Sequence, residues 1–244
     1  MQDNTITIKT PIGAISMYKS DLFYHDMKNT HQYAEQSIID GELSGFIRSS
    51  KNILDIGGHV GYHSIAYAKM NPDVNIMTFE PQKKIYDLLV SNIERNGYSS
   101  RIKAFNKAVG HENGEIHLSM YVDDGPTTDK PLDYEGENVF NFGGLSIGNN
   151  GTKVEMITVD SLNLTSLDYM KVDVEGAEPL VFMGAKETIL RHKPVICFED
   201  LKNLNPDYTN SIGISNMASS YEILRSYGYS NFIEIPYKNI IATV

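Results

Sequence analysis

The chain has 244 residues, 41% of them hydrophobic, enough for one sizeable α/β core and hardly for two, so a single domain over 1–244 is expected. A formal net charge of −10 would repel a polyphosphate and argues against DNA or RNA as a partner, and no stretch approaches the ~20 apolar residues that a membrane span needs. Cys197 is the single cysteine, which rules out an intramolecular disulfide and a thiolate zinc cage; with no signal-peptide pattern in MQDNTITIKT, the expected place is the cytosol.

Two short strand candidates, ITIK and AISMY, precede a stretch from His31 to Arg48 that sets Ile39, Leu43, Phe46 and Ile47 at helical spacing. Residues 1–50 are therefore expected to pack on the core. Next come a strand NILDI, a helix from about Tyr62, a strand NIMTF, a helix QKKIYDLLVSNIERN with Ile85, Leu88, Leu89 and Ile93 on one face, and a strand RIKAF. Strands alternating with helical patterns signal parallel βαβ units and helices on both sheet faces, hence a doubly wound, mostly parallel α/β fold. Its second half is expected to begin after GEIHLSMY with VEMITV, then YMKVDV, a helix after Glu178, VICFE, a helix near 217–227 and the strands NFIEI and NIIATV. Between the halves, residues 121–150 gather Asp123, Asp124, Asp129, Asp133, Glu135 and Glu137 against Lys130 alone, with Gly143, Gly144 and Gly148 behind them. An exposed, mobile insertion is expected there, either a plain solvated loop or an acceptor-binding lid.

NILDIGGHVGYHS, residues 52–64, brings a strand into a carboxylate, three glycines and a helix. A dinucleotide would place its pyrophosphate on that helix N-terminus and would be repelled by Asp55; its G-x-G-x-x-G motif is also incomplete here, which disfavours a nicotinamide-dependent oxidoreductase. S-adenosylmethionine reverses the electrostatics, because its ammonium and sulfonium suit a strand-end carboxylate while its own carboxylate suits the helix N-terminus. Asp55, Gly57, Gly58 and Gly61 fit that ligand, and Glu80, ending the next strand in TFEP beside Pro81, is placed to accept both ribose hydroxyls.

With those residues set out, the chain resembles the FkbM-like methyltransferases, a branch of the class I S-adenosylmethionine-dependent enzymes. The likeness covers about residues 31–200 and is carried by LDIGGHVGYHS, FEPQKKIYDLLVSNIERN, NKAVGHENGEI, ITVDSL, DYMKVDVEGAE and KPVICFED. It implies a Rossmann-like, seven-stranded sheet with the last strand inserted antiparallel, and methylation of hydroxyl groups on sugars, glycans or polyketide-like metabolites. His59 departs from the family pattern, which often has asparagine there, and residues 121–150 do not align.

The ligand of an open α/β sheet lies outside the carboxyl ends of its strands at the switch point, which joins Asp55, Glu80 and Asp173. Asn106 to Ala108 is the position expected to line the adenine. In KVDVEGAEP, Asp173 is expected to face sulfonium and acceptor, Glu175 to serve either substrate or structure, and Glu178 to favour the helix N-terminus. If the implied sheet order holds, Glu199 and Asp200 emerge beside Asp173; the three acids would then hold Mg²⁺ or a similar cation, or else bind loops and acceptor without metal. His59 and His63 are alternative proton acceptors. The expectation is an O-methyltransferase for a small-molecule or glycan acceptor, with a non-catalytic binding module of the same fold as the remaining alternative.

Overall fold

Strands that are buried on both faces read as continuous apolar runs, and NILDI, YMKV and VICFE are of that kind. In the computed structural model, which describes residues 4–123, 125–199 and 218–244, all three lie in the centre of one sheet. The elements in order are β1 (Thr5–Thr10), β2 (Gly13–Tyr18), α1 (Leu22–Met27), α2 (Gln36–Asp40), α3 (Ser44–Ser49), β3 (Asn52–Ile56), α4 (Tyr62–Met70), β4 (Asn75–Phe79), α5 (Lys83–Arg95) and β5 (Ile102–Phe105). There follow β6 (Ala108–Val109), β7 (Gly114–Leu118), β8 (Ile147–Gly148), β9 (Lys153–Ile157), β10 (Tyr169–Val172), α6 (Glu178–Met183), α7 (Lys186–His192), β11 (Val195–Glu199), α8 (Ser220–Ser226), β12 (Asn231–Ile235) and β13 (Asn239–Thr243).

The main sheet has seven strands in the order β12-β13-β11-β10-β3-β4-β5, and β13 runs antiparallel to both of its neighbours. The strands from β11 to β5 pair in parallel. Alternation along each strand divides the core in two. Ile53, Tyr169 and Cys197 meet α4 and α5 on one face, whereas Leu54, Ile56, Val172 and Phe198 meet α6 to α8 on the other. The order reverses between β3 and β10, so the cleft at their carboxyl ends is the switch point.

Three expectations need correction. The helical stretch 31–48 is two short helices, α2 and α3, separated at Gly41, although Ile39, Leu43 and Ile47 are buried as the spacing requires. The run VEMITV does not join the main sheet. It forms β9 in a second sheet, ordered β6-β9-β7-β8, and its exposed Lys153 and Glu155 show why: it is covered on one face only, whereas the place beside β3 demands burial on both. Finally, residues 121–150 are not a free loop. Val122, Phe140 and Phe142 are buried in the main core, and the Leu22 N–H donates to the Phe140 carbonyl at 2.7 Å. The Gln82 side-chain amide donates to the Phe142 carbonyl, also at 2.7 Å. Among the described residues, no helix is long and apolar enough to cross a membrane.

Candidate active site

Gly57 leaves β3 with φ +83°, and a Cβ there would lie 1.8 Å from the Asp173 carbonyl oxygen, so only glycine lets the loop pass so close to the end of β10. His59 follows in the left-handed region at φ 47°, and Gly61 at φ 90° caps α4. This turn aims backbone amides at Glu80. The His59 N–H donates to Glu80 Oε2 at 3.0 Å and the Gln82 N–H to Oε1 at 2.8 Å. Burial raises Glu80 to about 7, against the pull of those two amides and of His59.

Asp55 is placed differently from a ligand at the strand end. It lies inside β3, is fully buried, and does not line the cleft. Its register neighbours are Thr78 and Lys171; the Ser64 hydroxyl donates to Oδ2 at 2.5 Å, and the Lys171 ammonium stands 3.8 Å from Oδ1. Lys171 was not singled out in the sequence, yet it links the two halves of the site. It is 4% exposed, and its Nζ donates to Asp173 Oδ2 at 2.9 Å. Burial works against its charge, but Asp173 and Asp55 hold its pKa well above the ordinary lysine value. Burial likewise pushes Asp173 upward, but the charge and hydrogen bond of Lys171 keep it below the usual carboxylate range. Burial and the neighbouring charge of Asp173 push Glu199 up to about 8.

Oxygen atoms of Asp173, Glu175 and Glu199 lie within 4.8 Å of one another, because Val172 and Phe198 are register partners on adjacent strands. Asp200 lies outside the described residues. Glu175 takes the left-handed region at φ 54°. Glu178 turns away to accept the Val174 and Gly176 amides at 3.0 and 3.3 Å, and burial raises it to about 8.

Two hollows share Gly57, Glu80, Gly143, Asp173 and Glu175. The smaller, about 60 Å³, is bounded by Phe79, Pro81, Ala108 and Val109. Asn106, expected to line the adenine, does not line this hollow: its side-chain amide donates to the carbonyls of Glu80 and Pro81, both at 2.9 Å, so it braces the loop, while Lys107 and Ala108 line the hollow. The larger, about 250 Å³, is bounded by Asp26, Tyr33, Glu35, His59, His63 and Glu199 among others. Each histidine faces a carboxylate that the sequence did not flag. His59 Nε2 is 3.2 Å from Asp21 Oδ2, and His63 Nε2 is 2.9 Å from Glu35 Oε2. The available signal was the N-cap pattern of Asp21 before LFYHDM; nothing local marked Glu35. Cys197 is a buried thiol in β11 and takes no part in the cleft.

This sheet order, with its antiparallel β13 and a glycine turn facing an acid at the end of the next strand, defines a class I methyltransferase fold. The Methyltransferase FkbM domain matches residues 55–230, and the chain belongs to that family of S-adenosylmethionine-dependent methyltransferases. It is 26% identical over 199 residues to Methyltransferase sdnD of Sordaria araneosa, covering 71% of this chain and 72% of that one. Over 78 residues it is 31% identical to Ribosomal RNA small subunit methyltransferase G of Mycoplasmopsis pulmonis, covering 32% and 34%. The structure of Methyltransferase FkbM from Methylobacillus flagellatus KT shares the fold at a TM-score of 0.52 with 14% identity, over 80% of this chain and 44% of that one.

Proposed function

We propose that this enzyme methylates a hydroxyl group of a sugar, a glycan or a similar small polyhydroxylated acceptor held in the larger hollow. The observation that carries the proposal is the lining. Asp26, Glu35, Asp173, Glu175 and Glu199 line it together with the aromatic Phe23, Tyr33 and Tyr62. Carboxylates accept from hydroxyls and repel phosphate, and aromatic faces pack against the C–H side of a sugar ring.

S-adenosylmethionine, when bound, supplies an electrophilic methyl group on a positively charged sulfur. The chain's residues fit it. Glu80 keeps carboxylate lone pairs beyond the two taken by backbone amides and is assigned to the ribose hydroxyls. Gly57 and Gly58 line the larger hollow where the methionine end is assigned, Gly61 packs against Leu89 and shapes the turn without lining either hollow, and Pro81 and Ala108 bound the narrower hollow assigned to the base. Asp55 acts at one remove, by fixing Lys171 and the α4 residue Ser64.

Incubating the enzyme with S-adenosylmethionine and a panel of neutral, amino and phosphorylated sugars, with mass spectrometry of the products, tests this directly. Methylated neutral or amino sugars are expected; methylation confined to phosphorylated sugars would overturn the acceptor class. The convergence of Asp173, Glu175 and Glu199 favours a second reading in which a divalent cation bridges them. Lys171 already sets a positive charge on Asp173, and on the present proposal that ammonium suffices, so a chelator is expected to leave turnover intact. Activity abolished by chelation and restored by Mg²⁺ would favour the cation.

A further inference from the structure

We propose that His59, oriented by Asp21, takes the proton that leaves the acceptor hydroxyl, an inference that rests on the O-methylation reading above. The acceptor oxygen forms its bond to the methyl carbon as the carbon–sulfur bond breaks with its pair retained on sulfur, and the hydroxyl proton ends on His59 Nδ1.

Several groups that line the hollow could accept that proton, and the surroundings of four of them, Asp173, Glu199, His63 and His59, set them apart. Asp173 is committed to Lys171 at 2.9 Å. Glu199 lies beside Asp173, and burial and that neighbouring charge push it up to about 8. Both ring nitrogens of His63 are sealed from solvent, and Nε2 faces Glu35. At His59 the two nitrogens differ: Nε2 is buried at an ion-pair distance of 3.2 Å from Asp21 Oδ2, while Nδ1 takes no hydrogen bond among the described residues, on a side chain that is 21% exposed and lines the hollow. A carboxylate on one ring nitrogen selects the tautomer that leaves a lone pair on the other.

The imidazole is also held in place. Asp21 is fully buried, and its Oδ1 accepts from the Phe23 amide at 3.1 Å as the N-cap of α1. The Phe23 ring stands edge-on to the imidazole at 5.3 Å. The His59 amide is tied to Glu80, and its left-handed backbone is tolerated only because these contacts over-determine it. Asp21, Glu80 and Asp173 face the ring electrostatically from three elements, and Asp26 and Glu175 line the same hollow. Their combined charge keeps the imidazole above its ordinary value despite burial.

Histidine ¹⁵N NMR on the unliganded enzyme, with the His59 signal assigned by its loss in His59→Asn, reads the arrangement without an acceptor. Expected are a neutral tautomer with the proton on Nε2 and a titration midpoint that falls in Asp21→Asn. A proton on Nδ1, or a midpoint indifferent to Asp21→Asn, overturns the proposal. With any acceptor from the panel, His59→Asn is expected to lower kcat by roughly 10²–10⁴-fold and to abolish the rising limb of the pH–rate profile. Asparagine tolerates the left-handed backbone and keeps the amide for Glu80, so calorimetric affinity for S-adenosylhomocysteine should be unchanged. An unaltered kcat and pH profile would overturn the role. A panel in which nothing is methylated by the wild type refutes the acceptor class, and the tautomer then decides the dyad by itself.

Discussion

Of the residues assigned above to the donor, all but Ala108 come from one span, from the turn after β3 to Pro81, whereas the proposed acceptor side collects Asp26, Tyr33 and Glu35, then Asn141 and Gly143, then Asp173, Glu175 and Glu199. The donor side is held by backbone: the amides of His59 and Gln82 fix the Glu80 carboxylate, and Gly57 has no room for a Cβ. The acceptor side works through side chains, each fixed by an element with other reasons to be where it is. Such a division lets acceptor contacts change without disturbing the donor site. Lys171 is where the two sides meet, since it touches both Asp55 and Asp173.

The largest effect is therefore expected at that junction. Lys171→Met removes a cation buried between two carboxylates and leaves them facing each other across β3 and β10, a loss of about 3–5 kcal/mol in urea denaturation. A cost below about 1 kcal/mol would show that water already screens the pair and that the two sides are independent there. Next in size is Phe142→Ala. Its ring is fully buried against Tyr18 and Tyr134, so about 3 kcal/mol should be lost. Replacing the exposed Asp129 and Lys130 by alanine should change stability by no more than about 0.5 kcal/mol, and an equal loss at both places would contradict the anchoring of this segment.

What the sequence made legible follows the same division. The glycine turn and Glu80 are local signals in a strand–turn–helix pattern, and the alternation of elements already implied the doubly wound sheet. Lys171 carried a signal too: a lysine inside an otherwise apolar strand, two residues before Asp173 and hence on its face, needs a buried partner. Asp21 and Glu35 gave no comparable warning, because their partners His59 and His63 lie across the fold and such pairing has no period in the chain. The acidic composition of residues 121–150 misled for a related reason. Among the described residues its charged side chains are exposed, and the two phenylalanines that anchor it are too few to produce a pattern.

A smaller, pH-dependent effect is expected at Glu178, which is raised to about 8 while accepting two turn amides. Its folded pKa exceeds its unfolded one, so its contribution to stability is full below the unfolded value and declines as pH rises from there toward about 8. Glu178→Gln keeps an acceptor for the turn and removes the buried charge. Denaturation should show a gain of about 1–3 kcal/mol near pH 9 that disappears near pH 5. A gain independent of pH would assign the effect to packing instead.

The smallest effect tests the donor side at its one acidic side chain. Glu80 stands at about 7 without ligand, and only its ionised form can accept from two ribose hydroxyls without giving up a proton. Calorimetric affinity for S-adenosylhomocysteine should therefore rise between about pH 6 and 8 in the wild type. Glu80→Gln should bind about tenfold more weakly at the upper end, roughly 1.4 kcal/mol, and show no such rise. Two controls keep the result specific. His59→Asn removes the other group that titrates nearby and should retain the rise. Asn106→Ala removes a brace on the Glu80 and Pro81 carbonyls without touching the carboxylate, so any loss it causes should be the same at every pH. If Glu80→Gln instead behaves like Asn106→Ala, with a uniform loss and the wild-type slope intact, the carboxylate serves only to hold the amides of His59 and Gln82, and the ribose must be bound elsewhere.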